Sequence, residues 1–145
     1  MLLRDNHNGI TTRRCIAPVA IGPNATKTGR IIDTQGFGGI EFVAEYGAVT
    51  TTGTIVTLVV RDGDVTGTMA SVADANLLGT EALASLLATT PRTSDVSQNV
   101  TKRIGYQGNK RYVQALLVQT GVTSVGCVAV TAVLFQPNFT PTANP

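Results

Sequence analysis

The chain has 145 residues and a mass of 15.1 kDa, enough for one domain whose core needs no disulfide or metal to hold it. Hydrophobic residues make up 43% and charged residues 14%, with a net charge of +2, which excludes disorder and a coiled coil and leaves no polyanion-binding signature. No apolar run reaches the ~18 residues of a membrane span, and the opening residues 1–5 lack the apolar core of an export signal.

Residues 1–12 mix polar and apolar types without a period and read as an arm, with Asn8-Gly9 a turn pair. Residues 13–21 form a first extended segment, which Pro18 assigns to an edge or bulge. Gly22-Pro23-Asn24 breaks it, and a polar stretch leads to Arg30-Ile31-Ile32. Residues 40–46 are extended and end at Gly47. The strongest strand of the first half is 54–61, running into Asp62-Gly63 as a hairpin signal and a return strand at 65–70. Residues 74–88 alone have helical spacing, but Gly79 interrupts them, so short turns are expected. The second half holds strands at 100–106, 111–119 and 125–135, the last stopped by Pro137. Seven to eight short strands with one short helical segment and no βαβ spacing predict an all-β antiparallel sandwich or jelly roll. The domain layout is an arm at 1–12, the sandwich at 13–137 and an extended tail at 138–145.

Strands facing solvent on one side should alternate apolar and polar residues. In 111–119, Tyr112, Gln114, Leu116 and Val118 oppose Val113, Ala115 and Leu117. In 127–135, Cys127, Ala129, Thr131, Val133 and Phe135 oppose Val128, Val130, Ala132 and Leu134. In 54–61, Val56, Leu58 and Val60 oppose Ile55, Thr57 and Val59. A two-layer sandwich has one core, so the second faces need cover, from loops and the helical region or from another chain. Few residues remain for a third layer, which favours an oligomer or a component of a larger assembly.

Reactive constellations are not found. His7 lies in the arm without a nucleophile motif, and Glu41 and Glu45 stand about 13 Å apart by strand rise, too far for a carboxylate pair. Asp62-Gly63-Asp64 lacks the further ligands of a calcium loop, and Gly36-Phe37-Gly38-Gly39 lacks the strand–helix context of a phosphate cradle. Cys15 and Cys127 read as buried free thiols, and with one His they make no zinc site. The sequons at Asn24, Asn99 and Asn138 are chance products of a chain with 22 Thr. The pairs Arg13-Arg14, Lys102-Arg103 and Lys110-Arg111 are dispersed, without interleaved aromatics. No enzyme, cofactor, metal, nucleic-acid or membrane role is expected.

Two stretches carry a resemblance: Ile31-Ile32-Asp33-Thr34-Gln35-Gly36-Phe37, and Lys102 to Val113 (KRIGYQGNKRYV), the latter followed by an apolar strand and a Val/Ala strand ending Val133-Leu134-Phe135-Gln136-Pro137. Over residues 31–137 the chain resembles small structural proteins of tailed-bacteriophage heads, and is similar to the cement or decoration proteins that coat HK97-like shells. Gln136 departs from the family's usual His before the Pro. The resemblance implies a structural virion protein on the capsid surface, made in the bacterial host cytoplasm. It would bind the major capsid protein and itself, as a dimer or trimer, and stabilise contacts between capsid subunits. Candidate interface residues are Leu2, Leu3 and Arg4 in the arm, Tyr112, Gln114, Leu116, Val118 and Phe135 on strands, and Phe139 in the tail. Alternatives are a head–tail joining or tail-associated protein, and a carbohydrate-binding β-sandwich, whose usual surface Trp and Tyr are scarce here.

Overall fold

The computed structural model describes residues 5–20, 22, 24–49, 53–87, 99–121 and 126–142. They form the expected all-β sandwich. One sheet, here the front sheet, runs in the order β1 (Ile10–Ala20), β10 (Cys127–Pro137), β4 (Phe37–Tyr46), β8 (Val100–Tyr106) and β7 (Leu77–Leu78). The back sheet runs β2 (Thr26–Thr28), β9 (Tyr112–Thr120), β5 (Ile55–Gly63) and β6 (Ala70–Ser71), with β3 (Ile32–Asp33) also paired to β9. Every described pairing is antiparallel.

Strand periodicity decides which residues enter the core. Val128, Val130, Ala132 and Leu134 of β10 face inward with Ile40, Phe42, Ala44 and Tyr46 of β4. From the back sheet come Val56, Leu58 and Val60, against Val113, Ala115 and Leu117. These fourteen side chains are at most 2% exposed, and burying each large aliphatic one contributes about 1.5–3 kcal/mol.

Two seams close the sandwich along its sides. On one side β1 bulges between Arg14 and Ile16, so Cys15 and Ile16 both turn inward. There the Arg30 N–H donates to the Cys15 carbonyl (2.8 Å) and the Gly29 N–H to the Ala115 carbonyl (3.0 Å), tying the front sheet to the back. The approach is so close that a β-carbon on Gly29 would stand 2.5 Å from the Ala115 oxygen.

On the other side runs a segment holding a 3₁₀ turn (Asp74–Asn76), β7 and a single helical turn, α1 (Glu81–Ala84). Thr80 caps α1 by accepting from the Leu83 N–H (3.1 Å). The segment satisfies the free edge of β5. The N–H groups of Val56, Leu58 and Val60 donate to the Leu86 carbonyl (3.0 Å), the Ser85 hydroxyl (2.8 Å) and the Glu81 carboxylate (2.7 Å). Tyr46, buried on β4, donates to the Ala84 carbonyl (2.7 Å), and burial pushes its phenol well above the ordinary value. An edge capped this way cannot template another strand.

Several local expectations change. β1 begins at Ile10, pairing with Phe135, so the sandwich takes in residues 10–12 that read as arm. The Asp62-Gly63 turn signal is overridden: β5 runs through Gly63, which pairs with Tyr112, and the reversal falls at 64–69. The return strand shrinks to Ala70–Ser71, opposite Asp62 and Arg61. Cys127 is exposed rather than buried, because strand parity places it outward with Ala129. Short turns do replace a long helix at 74–87, with Gly79 at φ 94° between them. Residue 125, read as the start of the last strand, and residue 88, read as the end of the helical stretch, lie outside the described residues.

Candidate interaction surface

The two outer faces differ in charge. On the front sheet, the outward residues of β10 that look apolar in isolation sit among charges from neighbouring strands. Val133 pairs with Glu41, Ala129 with Glu45, and Thr131 with both Arg14 and Val43. Arg103 of β8 reaches Glu41 at 3.4 Å. At one end Phe135 lies over Gly39, where a β-carbon would meet its ring at 2.5 Å, so the ring packs on its own sheet.

The back sheet's outer face is different. Its middle rows are Thr26–Val118–Thr57 and Thr28–Leu116–Val59, and Ile55 pairs with Thr120 beyond them. None of these eight side chains is charged; charges border the face at Arg61, opposite Gln114, and at Arg14 and Arg30 beside Thr26 and Thr28. Lys27 lies on the inner side of β2, sharing its face with Leu117. The low charge content of the chain is thus concentrated on one outer face.

One end of the sandwich carries a polar belt that joins the two stretches of the resemblance. Asp33 on β3 accepts from Arg111 Nε (3.0 Å) and Nη2 (2.7 Å), a bidentate pair that holds its carboxyl below the usual range. The Thr34 hydroxyl and N–H both donate to the Arg111 carbonyl, at 2.8 and 2.9 Å. Arg111 also stacks 5.0 Å from the Tyr112 ring centroid. Beside it the Tyr106 hydroxyl donates to Asp62 (2.8 Å) and accepts from the Lys110 N–H (3.0 Å), while Lys110 pairs with Asp64. Burial, ahead of the neighbouring carboxylates, pushes Tyr106 up to about 12. Each of these groups is engaged in shaping the 106–112 turn, and the cluster presents no open reactive centre.

The expected interface residues scatter over these regions. Leu2, Leu3 and Arg4 lie outside the described residues. Tyr112 is half-buried beneath Arg111. Gln114 is buried, donating to the Gly29 carbonyl at 2.6 Å, and Leu116 is 8% exposed. Val118, 36% exposed, stands on the uncharged face, whereas Phe139 projects 87% exposed from the tail. The tail is anchored just beyond it, where Thr142 donates its N–H to the Asn8 carbonyl (3.1 Å) and its hydroxyl to the Ile10 carbonyl (2.6 Å). Single-strand reading overlooked Ile55, Thr57 and Val59 as members of one surface with Thr26 and Thr28. The signal was present in part: β9 lacks charge on its outward parity, and β5 does so from Ile55 to Val59. No protein-family model matches the chain, and no curated protein matches it.

Proposed function

We propose that the chain is a structural virion protein, a cement or decoration protein that binds the outside of a phage head and stabilises contacts between major capsid protein subunits. The observation that carries this reading is the uncharged outer face of the back sheet, where Ile55, Val59 and Val118 expose apolar area around the buried Leu116. Burying it against a second copy or a capsid subunit removes apolar area from water without stranding an unpaired charge. The resemblance over residues 31–137 adds to this, since its two stretches meet at the Asp33–Arg111 pair.

The mechanism is passive and asks for rigidity, which the capped β5 edge and the two seams supply. A protein that binds assembled shell but not free subunits stabilises the shell by mass action. Many symmetric contacts add avidity without requiring strong individual ones. Copies associate as dimers or trimers and straddle subunit junctions.

The test is a purified particle carrying wild-type chain or the Val118→Lys variant. Val118 is exposed enough that the variant folds, so its circular dichroism should match wild type. Expected are many wild-type copies per particle by mass spectrometry, raised heat resistance of the shell, and loss of both in the variant. A stoichiometry of about a dozen copies would instead assign the chain to the head–tail connection or tail. No association of wild-type chain with particles would refute the reading.

A further inference from the structure

Among the described residues, the outer edge of β1 carries no strand: β1 ladders with β10 on one side, and on the other Thr142 reaches the Asn8 and Ile10 carbonyls at its beginning. Those two contacts fix the parity of the edge. Backbone groups of residues 8 and 10 point away from β10, and because pairing stays in register from Ile10 to Arg14, those of Thr12 and Arg14 do too. The bulge after Arg14, and Pro18 further on, end the usable stretch.

Alongside this stretch, between β1 and the connection into β3, lies a groove of about 530 Å³ lined by Thr12, Arg13, Arg14, Arg30 and Asp33. All three arginines are exposed, and among the described residues none of them is ion-paired. Asp33 also lines the groove and its charge acts on Arg13, but Arg111 binds both its oxygens, so one carboxylate is shared among several cations. Three of the chain's 11 basic residues thus converge on one groove against a single, shared carboxylate, although the net charge is only +2.

We propose that this edge and groove form a docking site for an acidic, extended segment of a partner protein, which adds to β1 along residues 12–14 as a short strand. Its backbone would pair with Thr12 and Arg14, as in strand addition at other sheet edges. Its carboxylates would meet Arg13, Arg14 and Arg30 as charge-assisted pairs. Arg13 and Arg14 leave β1 on opposite faces, so the segment needs acidic residues at adjacent positions. A nucleic acid fits less well. A phosphodiester backbone offers acceptors but no donors for the edge carbonyls, and among the described residues no aromatic side chain lines the groove to stack a base. A second copy of β1 is excluded by repulsion between two arginine pairs. The site borders the Thr26–Thr28 edge of the uncharged face, beside Arg14 and Arg30, and does not rest on the capsid reading.

The probe is a fluorescein-labelled peptide, Thr-Val-Glu-Asp-Val-Thr, titrated with the full chain by anisotropy at low salt. Its Gln-Asn counterpart is the neutral control, and single-stranded oligothymidylate of equal charge is the nucleic-acid arm. Binding of the acidic peptide is expected, with the counterpart about tenfold weaker and affinity falling as salt rises. Replacing all three arginines (Arg13→Ala, Arg14→Ala, Arg30→Ala) should also cost about tenfold, the product of roughly twofold per exposed pair. Thr12→Pro deletes the edge N–H but no ladder bond, and should weaken the peptide while the melting temperature holds. The proposal is overturned by no binding, by equal binding of both peptides, by indifference to the arginine changes, or by tighter binding of the oligonucleotide.

Discussion

A close backbone approach at the β1 seam gives a sharp test, Gly29→Ala. The added β-carbon would stand 2.5 Å from the Ala115 carbonyl oxygen and 3.1 Å from Ile16 Cγ1, and would press on Cys15 Sγ. Two of those neighbours are held by the β1 bulge and one is the β9 backbone, so none yields by simple rotation. Overpacking of this kind costs about 1–3 kcal/mol. Relieving it by backbone shift stretches two bonds, Arg30 N–H to the Cys15 carbonyl and Gln114 to the Gly29 carbonyl, each contributing about 1 kcal/mol. The sum is about 3–5 kcal/mol, a large share of the ~5–15 kcal/mol available to a domain. Urea unfolding followed by far-ultraviolet circular dichroism measures it. Gly67→Ala, with no neighbouring atom within 4 Å, is the control and should be neutral or slightly stabilising. Adding Cys15→Ala to Gly29→Ala removes the sulfur contact but leaves the carbonyl one, so the two changes should combine non-additively. If Gly29→Ala matches the control within about 0.5 kcal/mol, the seam is not as tight as described and the reasoning fails.

The opposite seam is tested by Ser85→Ala, which orphans the buried Leu58 N–H and should cost about 1–3 kcal/mol in the same assay. An indistinguishable midpoint would mean that hydroxyl is dispensable to the edge. Thiol titration with an aromatic disulfide should count one reactive group in the folded chain, Cys127, and two after denaturation. Cys15 is buried and desolvation pushes it up to about 11; immediate reaction of both would contradict the fold. Cys15, Tyr46 and Tyr106 all have folded-state values above their ordinary 9.0, 10.0 and 10.0, so their neutral forms favour the folded state. The stability they contribute is complete below about pH 9 and declines as pH rises past 9 toward 12. The urea midpoint should therefore fall across that range, and Tyr46→Phe should flatten the decline.

Reading the chain strand by strand recovered the architecture because its apolar parities are strong: Val128 to Leu134 and Val56 to Val60 fall inward as alternation requires. β8 was legible from first residue to last. The strand expected at 40–46 begins earlier: Gly38 and Gly39 continue β4 from Phe37, and the Phe135 ring fills the space a side chain would occupy at Gly39. Asp62-Gly63 carried a genuine turn signal, but nine residues of pairing with β9 outweigh a local preference. The outer faces were misjudged for a different reason. Alternation within one strand says nothing of the next, and Glu41, Glu45 and Arg103 arrive on the front face from β4 and β8. The same limit hid the groove: Arg13-Arg14 and Arg30 are separate in sequence, and only the β1 seam makes them neighbours.

The pairing of β1 with β10 also sets how the molecule responds to pulling. The start of β1 lies opposite the end of β10, Ile10 against Phe135, and the tail is fastened there by Thr142. Tension applied between the chain ends therefore loads this corner first and breaks Thr142, then the ladder rung by rung, rather than shearing all rungs together. Peeling β1 in this way would pull Cys15 and Ile16 out of the core and open the Gly29 seam. A partner gripping both ends at once would instead clamp the corner shut, leaving the strong directions of the sandwich to bear the load.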